Sequence, residues 1–236
     1  MPAQPPEPIT SLDDPRAIQI LSTEHWSLLS GRSLAYNEAF VRGGMFLTFL
    51  STSFVALALL AQAMSFGTGF LTLAAIILAF DLVIGLATYG RIVGANSDDL
   101  RAVHGMARIR HAYIQAAPIV TPYFTTATHD DMDAVTGAYG GQSVSGVGTL
   151  LYALTTSGGM IGLITSMVGG VLASVLALLV GLPSGLWLWI GAGAAILVFV
   201  VLFAVTTAWI PKEQAKLPAL FPTPKSTGGV DHQGET

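Results

Sequence analysis

Four stretches of this chain are too long and too apolar for the surface of a water-soluble domain. Met45 to about Met64 is twenty residues without a formal charge, Phe70 to Gly90 carries a single one, and 160–180 and 185–210 carry none. Twenty helical residues rise about 30 Å, the thickness of a bilayer's hydrocarbon core. A helix is the element such a segment must form, because lipid leaves no water to satisfy an open backbone. Ser65-Phe66-Gly67-Thr68-Gly69 separates the first two stretches and Gly181-Leu182-Pro183-Ser184 the last two. Connections this short force antiparallel neighbours. The expected fold is an all-α membrane protein: four spans arranged as two antiparallel transmembrane hairpins, 45–90 and 149–210, with amphipathic cytoplasmic helices.

Composition agrees. Hydrophobic residues make up 52% of the chain and charged residues only 10%, against about a quarter charged in soluble domains. Mean hydropathy is +0.65. With no cysteine there are no disulfides or thiolate metal sites. A net charge of −4 gives no basic face for nucleic acid. Roughly forty mostly polar residues precede the first apolar run, far more than a signal peptide's n-region. Ala61-Gln62-Ala63 mimics a cleavage site, but the run before it is long enough to remain as an anchor.

Outside the spans, 1–14 reads as a disordered N-terminus closed by Asp14 as N-cap and Pro15 at the first helical position. Ile18, Leu21, His25, Leu28, Leu29, Tyr36 and Phe40 recur at helical spacing and predict an amphipathic cytoplasmic helix over 15–41. The segment 91–148 is the cytoplasmic centre. It holds a second helix over 97–117, started by Ser97 or Asp98 and ended by Pro118, and then a Gly-rich loop. Residues 149–157 fit either a surface helix or an early start to the third span. Trp187, Trp189 and Trp209 mark the two ends of the fourth. Pro211 is expected to stop it, leaving 211–236 as a disordered tail rich in proline.

All ten Lys and Arg lie outside the spans, on the side shared by both tails and the central segment. The positive-inside rule puts that side, with both termini, in the cytoplasm of a bacterial-type inner membrane. The hairpin tips are short enough to lack charge in either orientation. The opposite topology, however, would carry two tails and the central segment across the membrane.

Asp81 is the one ionisable residue within a span. An acid at a helix centre costs about 2.5–3.5 kcal/mol on insertion scales, and each Leu, Ile, Val or Phe returns about 0.3–0.6 kcal/mol. The span holds eleven of these residues, so it inserts, with Asp81 facing protein or water. Ala74, Gly85 and Thr88 share its face, a groove of small residues. Hydroxyls at Thr48, Ser51, Thr52, Ser53, Thr165 and Ser166, and the amide of Gln62, are its candidate partners. Asp81 is therefore either a carboxyl on an ion or proton path or a protonated acid holding two helices together. Gly162, Ser166 and Gly170, with Gly191 and Ala195 in the fourth span, form small-residue stripes. These pack within the monomer or form the interface of a homo-oligomer that encloses a pore.

Arg101, Arg108 and Arg110, with His104 and His111, form a basic stripe that could touch anionic headgroups or pair with Asp98 and Asp99. His104 and His111, and the cluster His129-Asp130-Asp131 with Asp133, lack the converging ligand set of a metal site and read as a solvated, charge-balanced surface. No cofactor is implied. Gly-x-Ser-x-Gly, His-Glu-x-x-His and the P-loop are missing. A second membrane Asp for an aspartyl-protease dyad is missing too, and no His lies in a span, so no enzyme is expected.

Glu24-His25-Trp26-Ser27-Leu28-Leu29, Tyr36-Asn37-Glu38-Ala39-Phe40, Arg108-Ile109-Arg110-His111-Ala112-Tyr113, Pro122-Tyr123-Phe124 and His129-Asp130-Asp131 resemble a family of uncharacterised bacterial four-span membrane proteins. That resemblance implies membership without a function. The order helix, two spans, helix in the first half is similar in outline to SLATT-type two-span modules, proposed as pore-forming effectors. Two working functions follow: an oligomeric channel or transport-related protein with Asp81 on the path, or a membrane-anchored scaffold binding a partner through its cytoplasmic helices.

Overall fold

The computed structural model describes residues 9–137, 154–183 and 185–224. Among them the regular structure is helical, without strands. The elements are α1 (Pro15–Met64), α2 (Thr68–Ala116), a 3-10 turn (Pro118–Tyr123), α3 (Met132–Gly137), α4 (Ser157–Leu179) and α5 (Leu186–Gln214). Helices α1, α2, α4 and α5 are each long and apolar enough to cross a bilayer. The chain divides into two compact units. An apolar unit takes Leu29–Ala102 and Ser143–Lys216, and a polar unit takes Met1–Leu28, Val103–Gln142 and Leu217–Thr236.

Local chemistry sets the helix ends. The Asp14 carboxylate accepts the Arg16 N–H at 2.9 Å, the expected cap on the first turn of α1. Between α1 and α2 the chain reverses through Ser65 and Phe66, both left-handed with φ near +52°. Gly67 is not the left-handed residue, and two side-chain-bearing residues absorb a cost of about 1–2 kcal/mol each. Thr156 caps α4, accepting the Gly159 N–H at 3.1 Å. At its far end Gly181 is left-handed, with φ +77°. Gly181 N–H donates to the Leu178 carbonyl and Leu182 N–H to the Ala177 carbonyl. This pair of bonds is the Schellman ending, which a residue without a Cβ favours.

The core of the apolar unit joins three helices: Ala39, Phe46 and Leu50 of α1, Leu78, Ile92 and Ala95 of α2, and Ile161 and Val168 of α4. From Ala74 to Asp99 the buried positions of α2 are Ala74, Leu78, Asp81, Gly85, Thr88, Ile92, Ala95 and Asp99, at alternating steps of four and three. That is the spacing of a left-handed packing seam. Helix α5 lies on α4 where Gly170 meets Gly191. Elsewhere it is apolar around its circumference, with Leu188, Trp189, Ile196, Leu197 and Val200 exposed, as suits a helix bathed in lipid.

Four boundaries differ from the sequence reading. Residues 15–41 and 45–64 belong to one helix, α1. No helix starts at Ser97 or Asp98, since α2 passes through both and ends at Ala116, ahead of Pro118. A capping residue acts only where the chain leaves the helix. Gly94, the sole weak helix former between Arg91 and Asn96, costs about 1 kcal/mol, while Ile92, Ala95 and Asp99 continue the buried seam. Pro211 does not stop α5, whose backbone continues to Gln214. Lastly, 217–224 is no loose tail: it lies along Asp130 and Asp131 in the polar unit. Of the segment expected to be loop, 118–123 is a 3-10 turn and 132–137 is α3. Residues 1–8, 138–153 and 225–236, which include part of the ambiguous 149–157 segment, lie outside the described residues.

The core of the polar unit comprises Val103, Met106, Ala107 and Ile109 of α2 and Val135 of α3. Gly105 admits Leu28 of α1, since a Cβ there would stand 2.8 Å from the Leu28 side chain. His104 is buried in this core with its Nε2 3.3 Å from Met132 Sδ. Burial holds its imidazole below the ordinary histidine range.

Candidate functional site

Asp81 is completely buried within the apolar unit. The seam that places Ala74, Gly85 and Thr88 at buried positions of α2 also turns Asp81 inward, as the sequence reading expected. Of its candidate partners, Ser53 of α1 is the one engaged, its hydroxyl donating to Asp81 Oδ1 at 3.0 Å. Among the described residues, Asp81 Oδ2 and Thr165 Oγ1 are buried without a partner. Thr165 belongs to α4 and sits over Gly85, one turn along α2 from Asp81, where an added Cβ would meet Thr165 Oγ1 at 2.7 Å. Ser166 instead donates back to the carbonyls of Gly162 and Leu163, both at 2.8 Å. Thr48, Ser51 and Thr52 likewise bond to carbonyls four residues earlier in α1.

The small-residue stripes are filled by the chain itself. A Cβ at Gly162 would lie 2.9 Å from the Tyr89 ring, and one at Gly170 would lie 2.7 Å from both the Gly191 carbonyl oxygen and Ala195 Cβ. A Cβ at Gly191 would overlap Ser174 Oγ. Tyr89 continues the contact on its other side, its hydroxyl 2.6 Å from Thr206 Oγ1 of α5. Gly85, Gly162 and Gly170 therefore each stand at a helix contact within one chain, and Ser166 is buried. A groove of about 610 Å³ runs past Tyr36, Gly43, Leu47, Ile92, Met160 and Ile164, and Asp81 is not among its walls.

Charged groups of the apolar unit gather beyond the uncharged runs. Arg32 pairs with the buried Asp99, which also accepts the Tyr36 hydroxyl at 3.0 Å. Glu38 takes Arg91 at 2.6 Å and Arg42 at 3.0 Å. The guanidinium hydrogen bonds from Arg91 and then Arg42 hold the Glu38 carboxyl down at about 2. Arg101 lies 3.6 Å from Asp98, a half-exposed pair one turn apart.

Arg108 and Arg110 of the basic stripe are built into the polar unit. Arg110 donates to the Ala127 carbonyl at 3.2 Å. Arg108 donates through Nε to Asp130 Oδ2 and through Nη2 to the Pro218 carbonyl, each at 2.7 Å. Asp130 is completely buried. Besides Arg108, its carboxylate accepts the Leu220 N–H at 2.9 Å and the Phe221 N–H at 2.7 Å. Burial pushes this carboxyl up, but the Leu220 N–H, the Arg108 guanidinium and the Phe221 N–H outweigh it and hold it below the ordinary range. The expected solvated surface is thus corrected for Asp130 and His104, both buried. The sequence reading missed this corner. The one signal in the sequence is an Asp-Asp pair and a set of prolines about 90 residues apart.

Comparison with protein-family models, with curated proteins and with solved structures finds no match for this chain.

Proposed function

We propose that this is a membrane-anchored interaction protein whose polar unit binds a protein partner. The spans would pair as two antiparallel hairpins in a bacterial inner membrane, with both termini in the cytoplasm. The confinement of Lys and Arg to the tails and the central segment supports that orientation. One observation carries the functional reading: the polar unit pairs Arg108 with the buried Asp130 yet leaves large apolar side chains exposed. Ile119 and Tyr123 are 81% and 80% exposed, and Trp26 is 65% exposed. Trp and Tyr are the side chains that anchor protein interfaces, because each offers a large rigid surface with a polar tip.

The test is affinity purification from membranes of full-length protein beside a Trp26→Ala/Tyr123→Ala double variant. The expected outcome is a partner retained by the first and lost by the second, with membrane insertion equal. Identical sets of co-purifying proteins would end the proposal.

A second reading, transfer of an ion or proton by an oligomeric channel or transport-related protein, draws on the unpartnered Asp81 Oδ2 and Thr165 Oγ1. Ionisable groups in spans commonly mark such paths. It predicts flux in liposomes that Asp81→Asn alters. Background flux from both proteins would remove it.

A further inference from the structure

Among the described residues, the most densely hydrogen-bonded contact between distant parts of the sequence is made by 217–224, and its geometry is that of a bound peptide. Pro218 offers its carbonyl to Arg108 at 2.7 Å. Leu220 and Phe221 give their N–H groups to the two Asp130 oxygens, and the Asp130 N–H returns a bond to the Phe221 carbonyl at 3.2 Å. Thr223 gives both N–H and hydroxyl to Asp131 Oδ1, at 2.8 and 2.6 Å. The Phe221 ring stacks on His111, with centroids 4.3 Å apart and planes 20° from parallel.

What is read is backbone pattern more than side-chain bulk. Leu220 remains 60% exposed while its N–H is bonded. Pro222 and Pro224 have no N–H, so the donors fall at 220, 221 and 223, opposite the acceptors of Asp130 and Asp131. Leu217, Phe221 and Thr223 each precede a proline, which disfavours helix and favours extended backbone. A segment stiffened in this way loses little conformational freedom on docking.

We propose that Asp130 and Asp131, flanked by Arg108 and His111, form a binding site for extended Pro-containing peptides. Residues 217–224 are its resident ligand, and the tail exchanges with a peptide of the partner. The ligand class is a segment offering two consecutive N–H groups, the second on an aromatic residue followed by Pro and Thr. The exchange with a partner rests on the interaction reading above; occupancy by the tail does not. Tethering gives the resident segment an effective concentration on the order of millimolar, so a free peptide binds measurably only when the tail is removed or outcompeted.

The experiment places the full-length chain, and a chain ending at Lys216, in lipid nanodiscs. The probe is a fluorescein-labelled peptide of residues 217–225. A control peptide carries N-methyl-phenylalanine in place of Phe221, deleting one donor. The shortened chain binds the probe saturably, at least tenfold tighter than the full-length chain does and at least tenfold tighter than it binds the control. Asp130→Asn in the shortened chain abolishes binding. Equal binding of probe and control, or equal binding with and without Asp130→Asn, overturns the proposal.

A second measurement needs no truncation. In the full-length protein, amide exchange at Leu220 and Phe221 is slow and accelerates severalfold under saturating probe. Exchange that stays slow at saturation shows a permanent contact and overturns the site. Neither arm requires the cellular partner, so loss of the peptide site and loss of the co-purifying protein are separate results.

Discussion

Asp81 and Asp130 are the same residue at the same burial, each 0% exposed, and they are held in opposite ways. Asp130 faces a guanidinium and two peptide N–H groups, so every neighbour donates to it and its negative charge is compensated. Asp81 has a single hydroxyl, and one of its oxygens has no partner. The contrast teaches that burial alone does not define the role of an acid. What matters is whether the surroundings were assembled around a charge or around a shape. The polar unit is organised on its aspartate, whereas the apolar unit packs small residues past its own.

The sharpest break of this comparison is Asp130→Asn. The new amide sets N–H against N–H, and Arg108 is left without its counter-charge. Removing one member of a buried pair costs about 3–5 kcal/mol. Arg108 is 30% exposed, and water relieves part of that, so the expected loss is about 2–3 kcal/mol. Thermal unfolding and proteolysis should show it, with cleavage appearing first in 217–224. A change under about 0.5 kcal/mol, the scale of ordinary surface substitutions, would mean that the charge is not what organises the corner.

The apolar unit should answer to volume instead. Gly191→Val drives a side chain into Ser174 and the Gly170 carbonyl, and overpacking of this kind costs about 1–3 kcal/mol. Gly193→Val, where an added Cβ meets nothing within 4 Å, is the matched control and should be nearly silent. Unfolding in mixed micelles compares the two. Equal melting of both variants would refute the close α4–α5 crossing.

Acid separates the units by a different route. His104 has its folded pKa depressed by burial, so folding opposes its protonation and stability declines as pH falls below the unfolded value of about 6.5. Asp130 and Asp131 are also depressed, Asp131 despite burial because the Thr223 hydroxyl and N–H outweigh it. Their contribution is present above the unfolded carboxylate value and is lost as pH falls through the lower folded one. All three signs agree, and the polar unit should weaken first. Glu38, held near 2 by Arg91 and Arg42, keeps its pairing through that range and loses it only as pH falls toward about 2. Unfolding of the polar unit followed from pH 7 to 4 should become easier as His104 protonates, and tail proteolysis should rise below about pH 4 as Asp130 and Asp131 protonate, before any change at the Glu38–Arg91 pair. The reverse order would contradict the assignment.

What was legible in the sequence follows the same division. Regular, local patterns exposed the spans, the Asp14 cap and the inward face shared by Ala74, Asp81, Gly85 and Thr88. Each repeats along one helix and depends on no distant partner. The run of α2 through Ser97 and Asp98 was not legible, because capping residues show where a helix can start and only packing at Ile92, Ala95 and Asp99 shows that it does not. The seat of 217–224 was hidden for a stronger reason. Its bonds join backbone N–H groups to two aspartates some ninety positions earlier, and its prolines carry no apolar period. Composition alone makes such a segment resemble an unstructured tail.

The smallest expected effect is the most informative about Asp81. Asn keeps the acid's shape and a carbonyl oxygen that can accept the Ser53 hydroxyl, and its amide adds a donor on the side of the unpartnered oxygen. Hydrogen bonds between membrane helices average about 0.6 kcal/mol, so Asp81→Asn should move stability by less than about 1 kcal/mol in either direction. Asp81→Leu, which removes the acceptor and adds bulk beside the buried Ser53, should cost more than Asn does. If Asn instead proved as damaging as it is at Asp130, the carboxyl of Asp81 would have to be needed as an acid. The apolar unit would then be built on a charge or proton after all, and the contrast between the two aspartates would give way to the transport reading.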